Sequence, residues 1–203
     1  PFAPFGIGGF DLSDVRTWLL VLDGQVGTFA LDDVGVIAFD PLQGFESGLP
    51  SNVFVTRGSG DTVTAATTTV PDDDPRALPG QVGDNAILDV TFDVTDVGRI
   101  GEDFAGAGSP QDWSGADAVG LWFLGAGSGL VYTLEITDDR SRFVAPFEDD
   151  AVGWTYVSVP FEAFEVASEG VAMDARRAPP LAARSIPRSV YRAGNTNRPH
   201  TAK

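Results

Sequence analysis

The chain has 203 residues, of which 29 are acidic and 13 are Lys or Arg, so its formal net charge is −16. The absence of cysteine excludes disulfides, thiolate metal ligands and a cysteine nucleophile. So acidic a body repels nucleic acid and anionic membranes, and neither is expected as a partner. The hydrophobic fraction of 43% suffices for a core, and no apolar run reaches the roughly 18 residues that would predict a transmembrane helix.

Alternation of apolar and polar residues predicts β-strands along most of the chain. The predicted strands are residues 17–22, 28–37, 52–56, 62–69, 86–95, 118–124, 130–137, 142–147 and 153–160. The clearest is 86–95, in which Leu88, Val90 and Phe92 alternate with Asp89 and Thr91. Clusters of Gly, Pro and Asp separate the strands, and no amphipathic helix is evident before residue 165. The pattern predicts an all-β fold, either a sandwich or a jelly roll.

The charge changes sign near the C-terminus. Residues 1–164 carry 26 acidic and 6 basic side chains, whereas residues 165–203 carry 3 acidic and 7 basic ones. The last 30 residues are rich in Arg, Pro, Ala and Asn and have no hydrophobic period. Such a segment cannot bury enough apolar surface to offset its chain entropy. We therefore predict that 165–203 is a disordered basic tail or an aberrant sequence such as a frameshift product.

A short motif occurs near both ends of the β-rich region. Residues 1–5 read PFAPF, and residues 160–164 read PFEAF. A repeat of this kind indicates a modular array. We interpret residues 1–37 as the C-terminal strands of one module and residues 42–164 as a second module that lacks its own closing strands.

Four motifs in a fixed order carry a family resemblance. They are GFESGLP at 44–50, GDNAIL at 83–88, QDWSGAD at 111–117 leading to LWF at 121–123, and GW at 153–154 followed by VPF at 159–161. The series resembles the family 11-like carbohydrate-binding modules, galactose-binding-like β-jelly rolls appended to secreted bacterial glycoside hydrolases. The likeness covers about residues 42–164, and residues 1–37 are similar to the same module's closing segment. It implies a jelly-roll sandwich closed by the N-terminal segment as a circular permutant.

The resemblance implies an extracellular, non-catalytic module that binds a polysaccharide such as a β-glucan. A catalytic domain would then be covalently linked outside this chain. The module itself is not expected to be an enzyme, because His200 is the only histidine and lies in the tail, so no Ser-His-Asp triad is plausible. Two alternatives remain open: a structural or adhesive β-sandwich repeat, and a β-glucanase domain with paired carboxylates in a cleft.

Three aromatic residues are the candidate sugar-binding side chains. Trp122 alternates with apolar neighbours in its strand, and Trp154 and Tyr156 alternate with valines in theirs. All three side chains can therefore share one face of a sheet. Packing beneath a second layer is the alternative for each of them. Tyr132 is predicted to be a core residue, and Trp113 a buried residue whose N–H is satisfied.

The resemblance also implies a structural calcium ion. By position, Glu46 matches the acid of the module's first strand, and Asp32 and Asp33 match the acidic pair of its closing strand. Asp84 is a weaker candidate because Gly-Asp-Asn is also an ordinary turn sequence. Calcium binds six to eight oxygen ligands, mostly carboxylates and carbonyls. Hydrogen-bonded carboxylates at strand ends are the alternative, and the acidic run 72–74 is predicted to be a solvated loop.

Overall fold

A computed structural model describes residues 11–37 and 41–169 of the chain. Within these ranges, twelve strands are accompanied by a pair of short 3-10 helices, Leu12–Asp14 and Phe161–Ala163. The strands are β1 Thr17–Asp23, β2 Val26–Ile37, β3 Pro41–Gln43, β4 Val53–Thr56, β5 Thr62–Val70, β6 Asn85–Asp93, β7 Val97–Asp103, β8 Ala118–Ala126, β9 Val131–Thr137, β10 Ser141–Glu148, β11 Val152–Pro160 and β12 Glu165–Glu169. None of the described helices is long and apolar enough to cross a membrane.

The strands form two sheets that pack face to face. Sheet I has the order β12-β10-β9-β1-β7-β4, and sheet II has the order β11-β8-β2-β6-β5, with β3 paired to β2. All these pairs are antiparallel. The predicted all-β sandwich is thereby confirmed, whereas the jelly-roll topology and the circular permutation remain predictions.

The N-terminal segment supplies a central strand to each sheet. In sheet I, β1 lies between β7 and β9. In sheet II, β2 lies between β6 and β8. The pairing of residues 17–37 with the 86–160 region, which the circular-permutation hypothesis requires, is therefore present. Without these two strands each sheet would be divided and would gain new exposed edges.

Aromatic rings from both sheets meet in the interior. Phe29, Phe92 and Phe123 of sheet II contact Tyr132 of sheet I, with ring centroids 5.2 to 6.2 Å apart. Tyr132 is only 1% exposed, which confirms its predicted place in the core. Each such pair contributes about 0.5–1.5 kcal/mol beyond the burial of its area. The interior face of both sheets is therefore fixed by ring packing.

Strand β7 was not predicted from the sequence. Its first six residues are buried without alternation, because both of its faces are covered. Gly101 is required there, since a Cβ at this position would overlap the carbonyl oxygen of Trp18. The Trp18 indole donates a hydrogen bond to Glu102 Oε2 at 3.0 Å. In β7, therefore, a glycine packed against the β1 backbone and a buried, hydrogen-bonded carboxylate occupy positions where an alternating pattern would have apolar or exposed polar residues.

The second copy of the repeated motif plugs one end of the core. Phe161 and Phe164 are buried, and the Phe161 ring stacks on Trp113 with centroids 6.3 Å apart. Trp113 is buried as predicted, and no hydrogen-bond partner of its Nε1 is found among the described residues, so the predicted satisfied N–H stays a prediction. The rings of Phe104 and Phe161 both lie against the indole. The first copy, residues 1–5, lies outside the described residues.

Strand β12 begins where the predicted tail begins. It pairs with β10 at the edge of sheet I, with a register shift between Arg142 and Phe143. The sandwich therefore extends to Glu169, five residues beyond the predicted boundary at 164. The rest of the predicted basic tail, residues 170–203, lies outside the described residues.

Candidate functional site

The register of sheet II aligns a row of polar and aromatic residues on its outer face. Asp32 lies opposite Trp122, and Trp122 lies opposite Tyr156. Their neighbours Leu31 and Phe123, also paired, point into the core. Because directly opposed residues of an antiparallel pair share a face, the row points away from the core.

Two of the three predicted sugar-binding residues form an open pair. The rings of Trp122 and Tyr156, hereafter the aromatic pair, lie with centroids 5.3 Å apart and an interplanar angle of 61°. Trp122 is half-buried and Tyr156 is 39% exposed. The edge-to-face contact holds both rings in place while leaving some of their surface accessible to solvent.

The third predicted residue, Trp154, lies on the same face and is half-buried, as Trp122 is, but its indole N–H is engaged by the chain. Its indole N–H donates to the carbonyl oxygen of Arg76 at 2.7 Å. It packs beside a buried outer cluster of Ala30, Val70 and Ile87, with Ala77 and Leu124 around it. The loop of residues 71–84 therefore contacts Trp154, whose indole N–H bonds the chain itself.

The loop that contacts Trp154 is held in place by ion pairs. Arg76 forms ion pairs with Asp74 at 3.3 Å and with Asp89 at 3.1 Å. Asp72 and Asp73 are exposed, in agreement with the predicted solvated loop, whereas Asp74 is held by Arg76.

Beside the aromatic pair, Asp32 is almost completely buried, at 1% exposure. Its Oδ2 accepts from Asn85 Nδ2 at 2.5 Å, and its Oδ1 accepts from the backbone N–H of Asp33 at 2.8 Å. Burial raises the pKa of Asp32 to about 6, against the lowering by these two hydrogen bonds. The negative charges of Asp33 and Glu46 add to the rise.

Asp32, Asp33 and Glu46, hereafter the carboxylate cluster, influence one another electrostatically. Asp33 sits in a bulge of β2 with φ 44°, a left-handed conformation that is uncommon for a non-glycine residue. Partial desolvation of its carboxyl group and the charge of Glu46 raise the pKa of Asp33. Burial and the charge of Asp33 likewise raise the pKa of Tyr156. The carboxylate cluster thus adjoins the aromatic pair.

The carboxylate cluster contains three of the four predicted calcium ligands. Its oxygen donors are of the type that Ca²⁺ prefers. However, both oxygens of Asp32 already accept hydrogen bonds, and Glu46 Oε1 accepts from the N–H of Ala86 at 3.1 Å. Asp84 is exposed and makes no hydrogen bond to the cluster. Within residues 11–37 and 41–169, no group of three acidic or histidine side chains is arranged to hold a metal ion, so calcium stays a prediction.

The glycine-rich loop 125–129 has a structural partner that the sequence did not reveal. The backbone N–H groups of Ala126, Gly127 and Ser128 donate to the Asp149 carboxylate at 3.0 to 3.2 Å, and Ser128 Oγ donates at 2.7 Å. Burial acts to raise the pKa of Asp149, but these hydrogen bonds lower it overall. The loop's amides therefore bind an internal carboxylate instead of an external anion.

Asn85 is the functional candidate that sequence reasoning missed. It was interpreted only as a member of a Gly-Asp-Asn turn, yet it is the first residue of β6 and bonds Asp32 across 53 positions in sequence. The alternation of β6 places Asn85 on the outer face of the sheet, and this pattern in the sequence could have identified it as a candidate. Amide and carboxylate groups next to exposed rings can accept and donate hydrogen bonds to a polar ligand.

The fold and this face define the protein as an all-β sandwich of two antiparallel sheets with an aromatic and acidic outer face. Comparisons with protein-family models, curated proteins and solved structures found no match for the chain.

Proposed function

We propose that the chain is a non-catalytic carbohydrate-binding module that binds a polysaccharide, a β-glucan or a related polymer, through the aromatic pair. The observation that carries the proposal is the position of the aromatic pair on the outer face of sheet II, beside Asp32 and Asn85. Aromatic rings stack against the apolar C–H faces of sugars, and neighbouring polar groups reach their hydroxyls.

In this proposal the module belongs to a secreted, multi-modular glycoside hydrolase whose catalytic domain lies outside the chain. The series of motifs and the repeated PFAPF/PFEAF segments support it. Binding would raise the effective concentration of the catalytic domain at the polysaccharide surface. Catalysis is not assigned to the module itself.

A structural calcium ion at the carboxylate cluster belongs to the proposal. Its support is the set of three neighbouring carboxylates: burial first, and the neighbouring negative charges second, raise the pKa of Asp32 and Asp33, and a divalent cation would offset the repulsion among them. Calorimetric titration with Ca²⁺ tests it, with Glu46→Gln expected to weaken binding. Absence of heat from the wild-type protein contradicts the calcium proposal.

Affinity electrophoresis and calorimetry against β-glucans test sugar binding. Trp122→Ala and Tyr156→Ala are each expected to lower affinity at least about tenfold, about 1.4 kcal/mol, because anchor aromatics dominate binding energy. Val82→Ala serves as the control, since Val82 is 94% exposed and has no role in the proposed site. Thermal unfolding establishes that each variant is folded. Lack of retardation of the folded wild-type protein by any glucan contradicts the proposal.

The second candidate function is a structural or adhesive β-sandwich repeat without sugar binding. One observation favours it. Val26, Val131 and Val152, which begin β2, β9 and β11 at the same end of the sandwich, are 68%, 44% and 85% exposed. Exposed apolar groups that lie together are typical of contact surfaces. A folded protein that binds no glucan, but whose self-association is reduced by Val152→Ser, would favour this function.

A further inference from the structure

We infer that the chain forms a symmetric dimer in which β5 pairs antiparallel with β5 of a second copy, along the outer edge of sheet II. The inference goes beyond the proposed function, and it does not depend on sugar binding. Its basis is the edge of β5, which has none of the features by which natural sheets avoid pairing with other chains.

Within the described residues, four strands end the two sheets, and three of them have a feature that hinders pairing. The ends are β12 and β4 in sheet I and β11 and β5 in sheet II. Strand β12 begins with the charged Glu165 and has a register shift, and β4 has only four residues. Strand β11 contains Gly153 at φ 94° and ends at Pro160, which has no N–H to donate. Charge, short length and irregular backbone all protect sheet edges.

Strand β5 has none of these features. Its sequence, TVTAATTTV, contains no charged residue, glycine or proline, although 21% of the chain is charged. All nine of its residues pair with β6 without a register shift, and none of them has a positive φ. A long, regular and uncharged edge of this kind is a template for an added strand.

The direction of the backbone groups of β5 follows from the adjacent ladder. Just after β6, the N–H of Val94 donates to the carbonyl of Gln25, so the even-numbered residues of β6 bond β2 and its odd-numbered residues bond β5. The residues of β5 that lie opposite those odd-numbered positions are even-numbered. The odd-numbered residues therefore direct their N–H and C=O groups outward, where no described strand pairs with them; they are Val63, Ala65, Thr67 and Thr69.

A two-fold axis beside Ala66 brings two copies of this edge into register over its whole length. The outward groups of Val63 then face those of Thr69 in the second copy, and the groups of Ala65 face those of Thr67. The facing residues are mostly β-branched, and such residues pair favourably across strands. No two like charges stand opposite each other, because β5 has no charged residue. The edge is therefore complementary to itself, as a closed dimer requires.

The acidic residues beside this edge lie one strand further inside. Asp89 of β6 is opposite Ala66, so the two Asp89 side chains of the dimer are separated by three strand spacings, about 14 Å. This distance exceeds the Debye length of about 8 Å at physiological salt, but not that of about 30 Å at 0.01 M. Two copies that each carry a net charge of −16 should therefore associate more tightly as salt is added.

The dimer does not involve the aromatic pair. Trp122 and Tyr156 lie on β8 and β11, at the other end of sheet II from β5. Each dimer therefore carries two copies of the candidate sugar-binding face. Attachment through both faces would raise the avidity for a polymer without any new contact.

Sedimentation equilibrium of the whole chain, without sugar, measures the association. At 0.15 M NaCl we expect a dissociation constant of about 10 µM to 1 mM, because a single strand pair buries less surface than a standard interface. In 0.01 M NaCl we expect association to be at least about fivefold weaker. A protein that stays monomeric at millimolar concentration, or an association that weakens as salt is added, contradicts the inference.

Two substitutions at Thr67 locate the contact. Thr67→Pro removes an outward N–H that β6 does not use, so the fold should tolerate it, while the dissociation constant rises at least about tenfold. Thr67→Val keeps this N–H and the shape of the side chain, so the dissociation constant should stay within about twofold of the wild-type value. Thermal unfolding establishes that both variants are folded. Equal dissociation constants for the two variants would show that β5 is not the contact.

Hydrogen exchange on the wild-type protein provides a test that needs no variant. The amides of Val63, Ala65 and Thr67 should exchange at least about fivefold more slowly at high than at low protein concentration, because they are bonded only in the dimer. The amides of Trp154 and Tyr156 in β11 should exchange at the same rate at both concentrations. Slower exchange in β11 instead of β5, or in neither strand, contradicts the inference.

The remaining outcomes separate the inference from other contacts and from the proposed function. Open filaments would indicate pairing of β5 with β11, and the inference would be wrong. It would also be wrong if Val152→Ser reduced self-association and Thr67→Pro did not, or if only an unrelated extended peptide protected the β5 amides. Because these measurements contain no sugar, a failure of the dimer leaves the proposed function standing, and a failure of glucan binding leaves the dimer standing.

Discussion

The outer faces of the two sheets both carry charged and apolar side chains, but the charged groups have different partners on each face. On sheet I, Leu19 and Val21 are buried beside Glu135 and Arg142, which form a bidentate ion pair at 2.7 and 2.9 Å. On sheet II, the aromatic pair is open and the carboxylate cluster has no described basic partner. The charges of Glu135 and Arg142 on the first face are paired and buried, whereas Asp33 and Glu46 on the second are exposed and have no basic partner among the described residues. The state of pairing, more than composition, therefore separates a structural face from a candidate binding face.

The comparison is tested most strongly by Glu135→Gln. This change leaves Arg142 buried without its carboxylate, and we expect a loss of about 3–5 kcal/mol in the free energy of unfolding. Urea denaturation measures it. The exposed pair of Asp139 and Arg140 provides the control, since Arg140 is 81% exposed and Asp139→Asn should change stability by less than about 0.5 kcal/mol. Equal effects of the two substitutions would show that sheet I does not depend on its buried pair.

The loop that leads from sheet II to sheet I gives the next largest effect. Asp149→Asn weakens four hydrogen bonds to a buried carboxylate, and we expect a loss of about 1–3 kcal/mol. Because the pKa of Asp149 is lowered in the folded protein, its contribution is complete above the unfolded-state pKa of about 4 and is lost as the pH falls through the folded-state pKa.

Denaturant unfolding at several pH values measures this contribution. The stability difference between wild type and Asp149→Asn should shrink as the medium becomes more acidic. Asp150→Asn is the matched control, because its side chain is exposed and makes no hydrogen bond within the described residues. A difference that stays constant down to strongly acidic pH would contradict the assignment.

Trp154→Phe tests the part of the outer face of sheet II that the Arg76 loop contacts. The substitution keeps a ring but removes the donor to the Arg76 carbonyl, so we expect a loss of about 1 kcal/mol in stability. Its effect on glucan affinity should be smaller than that of Trp122→Ala. Thermal unfolding and affinity electrophoresis on the same variants measure both quantities, and a larger loss of affinity than in Trp122→Ala would place the binding face under the loop.

The smallest expected effect is a gain, rather than a loss, of stability. Asp33→Asn relieves the repulsion between Asp33 and Glu46, and asparagine tolerates the left-handed backbone at this position, so stability should rise by a few tenths of a kcal/mol. Thermal unfolding in a chelator measures the change. Asp23→Asn should leave the midpoint unaltered. A destabilised Asp33→Asn would mean that the charge on the open face is structural, like that on sheet I.

Strands with one buried face were predictable from their alternation. In β6 the predicted segment 86–95 became Asn85–Asp93, and in β9 the predicted 130–137 became Val131–Thr137. Strand β7 escaped prediction because Gly98 and Gly101 stand where a Cβ would overlap the Val63 side chain and the backbone of β1, respectively. Its hydrophobic period is lost because both faces are buried, a condition created only by packing.

The sequence by itself determined three features: the all-β class, the position of Trp122 and Tyr156 on one face, and the burial of Tyr132. All three follow from the local alternation of side chains between the two faces of a strand. Only the tertiary structure decided that Trp154 contacts a loop anchored by Arg76 and that Asn85 bonds Asp32. Such contacts depend on which segments distant in sequence become neighbours, and a local pattern does not encode that.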